Sequence, residues 1–126
     1  MNILLDTQIL IWLAENPDKI PDEIRLLIIE SNILMSAASV WEMAIKISIE
    51  KLKLKGSLEI MIANFRNDYD FEMLDIHLQH IYQTQLLPLH HKDPFDRLII
   101  AQAIVEDIQI VSSDEIFDAY GIKRIW

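Results

Sequence analysis

No cysteine occurs in the chain. Disulfides and thiolate metal sites are therefore excluded. Glycine is nearly absent, with only Gly56 and Gly121. Neither a GxGxxG turn nor a P-loop can be written with them, which argues against an enzyme that cradles a nucleotide cofactor. No apolar run is long enough to span a membrane: 24–29 and 98–105 are short and carry polar residues. The opening MNILLDT has no basic n-region and no small-residue cleavage site. No signal peptide is expected from it, and a soluble cytoplasmic protein is. Positive charge is scarce too, with 11 Lys and Arg against 20 Asp and Glu, a net charge of −9. Such a chain does not gather phosphates by long-range attraction. Bound divalent ions reverse the sign locally. The charge balance thus counts against a bare nucleic-acid-binding module more than against a metalloenzyme.

At 126 residues, 52% of them hydrophobic, the chain suits one domain over 1–126 with a substantial core. Residues 2–6, 32–36, 71–75, 108–112 and 122–126 read as short strands. Helices are expected over Thr7–Ala14, from Pro21 to about Glu30, from Ser39 to about Ile49, over 57–69, His77–Leu86 and Pro94–Glu106. A helical turn is expected at Asp114–Ala119. Strands alternating with helices imply an α/β fold, a mostly parallel sheet covered on both faces.

Four acids sit where strands or loops hand over to helices: Asp6, Glu42, Asp96 and Asp114. In an open α/β sheet the carboxyl ends of parallel strands share one edge, so these groups can meet in one cleft. Two carboxylates ~4 Å apart repel by about 4 kcal/mol at an effective dielectric near 20. A cluster of them requires a cation, a shared proton or solvent. Oxygen ligands suit a hard divalent ion, and the chemistry that follows is phosphodiester hydrolysis.

Each acid also has a purely structural explanation. Asp6 can cap the first helix. Glu42 fits a capping box with Ser39 and an i,i+4 pair with Lys46. Asp93 precedes Pro94, which favours the first helical position, so Asp93 is assigned to the cap and Asp96, one turn in, to the metal. Asp114 follows the fourth strand in IVSSDEIF, where a cap is ordinary, and Ser112 is a candidate outer hydroxyl. Arg97 and Lys46 can hold a carboxylate or contact a phosphate; for Lys46 a salt bridge or solvated charge is the stronger reading. His90 and His91 read as solvated loop residues, and Trp12 and Trp41 as core or helix-packing residues.

LLDTQILIWL, SAASVWEMAIK, HHKDPFDRLIIAQA and IVSSDEIFDAYGIKRIW together resemble the PIN-domain family, and within it the VapC-type toxins of type II toxin–antitoxin systems. The resemblance runs through nearly the whole chain, with DPFDR its most specific segment. It implies a three-layer α/β/α domain with strand order 3-2-1-4-5. It also implies an endoribonuclease dependent on one or two Mg²⁺ or Mn²⁺ ions, cleaving RNA, such as tRNA or rRNA, by metal-activated water. Asp6, Glu42, Asp96 and Asp114 match the family's four acids. Gln8 stands where close relatives often carry His, and Ser112 where many carry Thr. An antitoxin partner and a homodimer are implied as well. The alternatives are a PIN-fold protein that binds RNA or a partner without cutting, and an Asp-based phosphotransferase. The latter needs a second acid where this chain has Gln8. A receiver-like module needs an acid pair and a late Lys, neither of which the chain offers clearly.

Overall fold

The structure is a computed structural model describing residues 1–126. Its centre is β1 (Asn2–Leu5), whose Ile3, Leu4 and Leu5 side chains alternate between two covered faces. Ile3 and Leu5 enter one core with Ile9, Leu10, Met43 and Phe65. Leu4 enters the other with Ile99, Ile100, Ile110 and Phe117. Burial on both faces explains the unbroken apolar run. β1 pairs in parallel with β2 (Asn32–Ser36) and β4 (Gln109–Val111). β3 (Phe71–Leu74) and β5 (Arg124–Ile125) complete an all-parallel sheet of order β3-β2-β1-β4-β5. The expected order is found, and every pair is parallel.

Register decides where the chemistry lies. Leu5 aligns with Met35 on one side and Val111 on the other. The residues that follow, Asp6, Ser36 and Ser112, are thus flush at the carboxyl edge, all of them buried. The Asp6 N–H donates to the Val111 carbonyl at 3.1 Å, which carries the alignment one residue past the strand.

The helices are α1 (Thr7–Glu15), α2 (Asp22–Glu30), α3 (Ala37–Ser48), α4 (Leu58–Asp68), α5 (Leu78–Thr84) and α6 (Pro94–Glu106). α6 has its expected bounds because both ends are locally encoded. Pro94 opens it, and Asp107, in the left-handed region at φ 52°, closes it by donating to Ala103 and Ile104 carbonyls. α3 begins two residues before the expected Ser39. Ser36 leaves β2 with extended backbone, and its hydroxyl accepts from the Ala38 N–H. The Ser39–Glu42 capping box therefore does not form; buried Ser39 instead accepts a hydrogen bond from the Thr7 hydroxyl at 3.0 Å. The strands at the sheet's margins are shorter than expected, β5 being two residues long. The 3₁₀ turn Glu115–Tyr120 replaces the expected helical turn, and Gly121 ends it at φ 70°. No helix is long and apolar enough to cross a membrane.

Candidate metal centre

Asp6, Glu42, Asp96 and Asp114 all line one cleft of about 260 Å³ at the carboxyl edge of the sheet. They arrive from four places: the exit of β1, the second turn of α3, the first turn of α6 and the loop after β4. A larger groove of about 650 Å³ lies beside Leu52 and Leu58, but no group of metal-ligating side chains converges there.

Asp6 is both the α1 cap and a wall of the cleft. Its Oδ1 accepts from the Ile9 N–H at 2.8 Å, and the side chain is buried. Burial pushes its carboxyl up to about 6, helped by the Asp114 and Glu42 charges, while the Ser112 hydroxyl and the Ile9 N–H pull the other way. Ser112 also accepts from the Asp114 N–H at 3.0 Å, so one hydroxyl links two acids.

Glu42 is 4% exposed. Its Oε2 accepts from Lys46 Nζ at 2.9 Å, while Oε1 is buried with no hydrogen-bond partner. The hydrogen bond to Glu42 raises the Lys46 ammonium above its ordinary range. Lys46 thus has its expected salt bridge and also lines the cleft.

Asp93 takes its expected cap, and both Asp93 and Asp96 line the cleft. Asp93 Oδ1 accepts from the Phe95 and Asp96 N–H groups at 2.8 and 3.2 Å, capping α6. Asp96 faces the cleft. Desolvation, then the charges of Asp93, Glu42, Asp6 and Asp114, push its carboxyl up to about 8. Asp93→Ala is expected to destabilise the fold by about 1 kcal/mol through the lost cap. Asp93→Asn should be at least as stable as wild type, because Asn caps equally well and removes a charge that opposes the Asp96 carboxylate. Urea unfolding midpoints in EDTA check both; an Ala variant as stable as wild type would remove the capping assignment.

Asp114 caps the 3₁₀ turn, its Oδ1 accepting from the Ile116 N–H at 3.0 Å. Its Oδ2 turns to His91, whose Nε2 lies 3.2 Å away and also 2.9 Å from Asp96 Oδ2. Sequence reasoning placed His91 in solvent; its side chain is 14% exposed and forms part of the site. The one group of ligating atoms lying within 4.8 Å of one another is His91, Asp96 and Asp114. Asp6 and Glu42 lie in the same cleft but outside that tight set.

Arg97 departs from its expected role beside the acids or a phosphate. Its guanidinium donates to the carbonyls of Thr84, Leu87, Pro88 and His91. The first turn of α6 aims it back at the preceding loop, which it staples. Trp41 is 56% exposed and meets Phe95 edge-on at 5.1 Å, so it is a helix-packing residue and not core. Trp12 packs against Trp126, their rings 6.0 Å apart.

An oxygen-rich pocket with raised carboxyls and a buried, partnerless Glu42 oxygen suits a hard divalent cation. Solved structures with the same fold include a chain of VapBC2 from Rickettsia felis, bound to a DNA fragment from their promoter. It is 20% identical, with a TM-score of 0.73, covering 99% of this chain and 98% of that one. A chain of DNA-bound VapBC from Salmonella typhimurium matches at 20% identity and TM-score 0.71, covering 99% and 97%. A chain of a toxin–antitoxin complex from Klebsiella pneumoniae matches at 16% and 0.58, covering 89% and 86%. No curated protein matches the sequence. The family model described as PIN domain matches residues 3–123, nearly the whole chain, and the protein belongs to the PIN domain family.

Proposed function

We propose that the protein is a divalent-metal-dependent endoribonuclease and the toxin of a toxin–antitoxin pair. In this reading Asp6, Glu42, Asp96 and Asp114 hold one or two Mg²⁺ or Mn²⁺ ions. The observation that carries it is the convergence of Asp6, Glu42, Asp96 and Asp114, with the capping Asp93 beside them, from four separate elements into one small cleft. Such a cluster is poorly stable empty and well matched to a cation. Likeness to chains from VapBC and toxin–antitoxin complexes supports a protein antitoxin as partner.

A divalent ion held there by Asp6, Glu42, Asp96 and Asp114 would supply neutralisation of phosphoryl and leaving-group charge and a lowered pKa for water. The chain's own residues do the rest. Asp6 and Asp114 are fixed by the N–H groups they cap, so their positions are set by backbone. Lys46 holds one Glu42 oxygen, and the other is buried with no hydrogen-bond partner. Asp96 sits on the rigid first turn of an apolar helix. Water attack at phosphorus does not need the RNA 2′-hydroxyl. The expected products carry 5′-phosphate and 3′-hydroxyl ends, and EDTA is expected to stop their formation. End mapping of cleaved total RNA, with and without chelator, checks this. Cyclic 2′,3′-phosphate ends formed in EDTA would remove the metal-dependent reading.

A further inference from the structure

The imidazole of His91 has the composition of a metal ligand, grouped with Asp96 and Asp114. Its hydrogen bonds say otherwise. His91 Nδ1 accepts from the Asp93 N–H at 3.2 Å. In a neutral imidazole one nitrogen donates and the other accepts, so this contact puts the proton on Nε2. Nε2 then donates to Asp96 Oδ2 at 2.9 Å and Asp114 Oδ2 at 3.2 Å. Ligating a cation through Nε2 would move the proton to Nδ1, where it would face the Asp93 N–H, donor against donor.

The rest of the residue is held as firmly. The His91 N–H donates to the Tyr120 hydroxyl at 2.6 Å, and that hydroxyl donates to the Pro88 carbonyl at 2.8 Å. Arg97 donates to the His91 carbonyl at 3.2 Å. The ring lies 5.9 Å from that of Phe117, a fully buried residue. Ring plane, tautomer and backbone are all fixed from outside the cleft.

The geometry points to His91 as a positioning residue that clamps the Asp96 and Asp114 carboxylates from outside the ion's coordination shell and does not itself ligate the ion. Arg97 and Tyr120 act through it by anchoring the loop that presents the ring. Outer partners of this kind orient ligands, and their loss typically weakens metal binding by about 10–100-fold. The inference rests on the proposed metal centre, but its first test does not.

A long-range ¹H–¹⁵N correlation spectrum of the full-length labelled protein reads the His91 tautomer directly, in EDTA and with saturating Mg²⁺. Nε2 is expected to be protonated, and Nδ1 unprotonated, in both states. Calorimetry with Mg²⁺ is then expected to show about 10–100-fold weaker binding for His91→Phe. His91→Gln, which keeps a donor, should recover part of that loss. A proton on Nδ1 in either state, or His91→Phe binding Mg²⁺ as tightly as wild type, would overturn the clamp. If wild type takes up neither Mg²⁺ nor Mn²⁺, the ribonuclease reading falls, and the EDTA spectrum alone decides for or against the His91 hydrogen bonds.

Discussion

Asp96→Asn is expected to abolish RNA cleavage while making the metal-free protein more stable. The two effects have one cause. The Asp96 carboxyl, pushed up to about 8, lies among the charges of Asp93, Glu42, Asp6 and Asp114. Asn keeps the shape and an acceptor for His91 but removes the charge. Activity should fall by more than the roughly 10–100-fold that follows loss of an outer partner. Stability should rise, because the folded state no longer holds an acid that its surroundings oppose. One pKa unit corresponds to about 1.4 kcal/mol, and the raised value lies several units above the ordinary one. The His91 N–H at 2.9 Å offsets part of this, so a gain on the order of 1–3 kcal/mol at pH 8 in EDTA is expected. Asp6→Asn should behave alike, since Asn also preserves the cap to Ile9. Thermal melts in EDTA and a cleavage assay, run on the same preparations, check both halves. Wild-type cleavage by either variant would remove that residue from the site; a loss of stability would show that repulsion does not govern the empty cleft.

The features legible in the sequence were those set by short-range rules. Burial of β1 on both faces forces Ile3, Leu4 and Leu5 to be apolar, so strand and edge position could be read together. Asp93-Pro94 encodes its own helix start, which is why Asp96 could be separated from its capping neighbour. The errors lie where two elements compete for one side chain. Ser39 and Glu42 have capping-box spacing, yet Ser36 caps first and Thr7 and Lys46 claim the two side chains. Arg97 has the charge for a phosphate contact, but its place on α6 aims it at three loop carbonyls and the last carbonyl of α5. His91 was the most consequential miss. Its signal was local after all: an imidazole two residues before a helix cap can take that cap's own N–H and be turned inward. What no local rule supplies is the register of β4 against β1, which brings Asp114 beside that ring.

Without metal, stability is expected to fall as pH rises from about 4 to about 8, the reverse of ordinary acid denaturation. The sign follows from proton counts. Asp6 and Asp96 start from an ordinary value of 3.8 and are raised to about 6 and about 8 in the folded state. Between the two values of each group the folded state binds more protons than the unfolded one, and unfolding free energy drops with pH by up to about 1.4 kcal/mol per unit and group. The favourable term is whole below about 4, shrinks through 6 for Asp6, and is gone above 8 for Asp96. Asp118, held below the usual carboxylate range by its hydrogen bond to Arg124, works in the opposite direction, but only at the acid end of the scale. Mg²⁺ competes with those same protons, so its binding should tighten as pH rises. A ligand at ~100 times its Kd stabilises the fold by about 2.7 kcal/mol. The Mg²⁺-induced increase in Tm should therefore be large at pH 8 and small at pH 5. Melts across this range, in EDTA and in excess Mg²⁺, test the claim. A metal-free Tm that climbs from pH 4 to 8, or a Mg²⁺ increment equal at both ends, would mean that these carboxyls are not the groups that take up the ion.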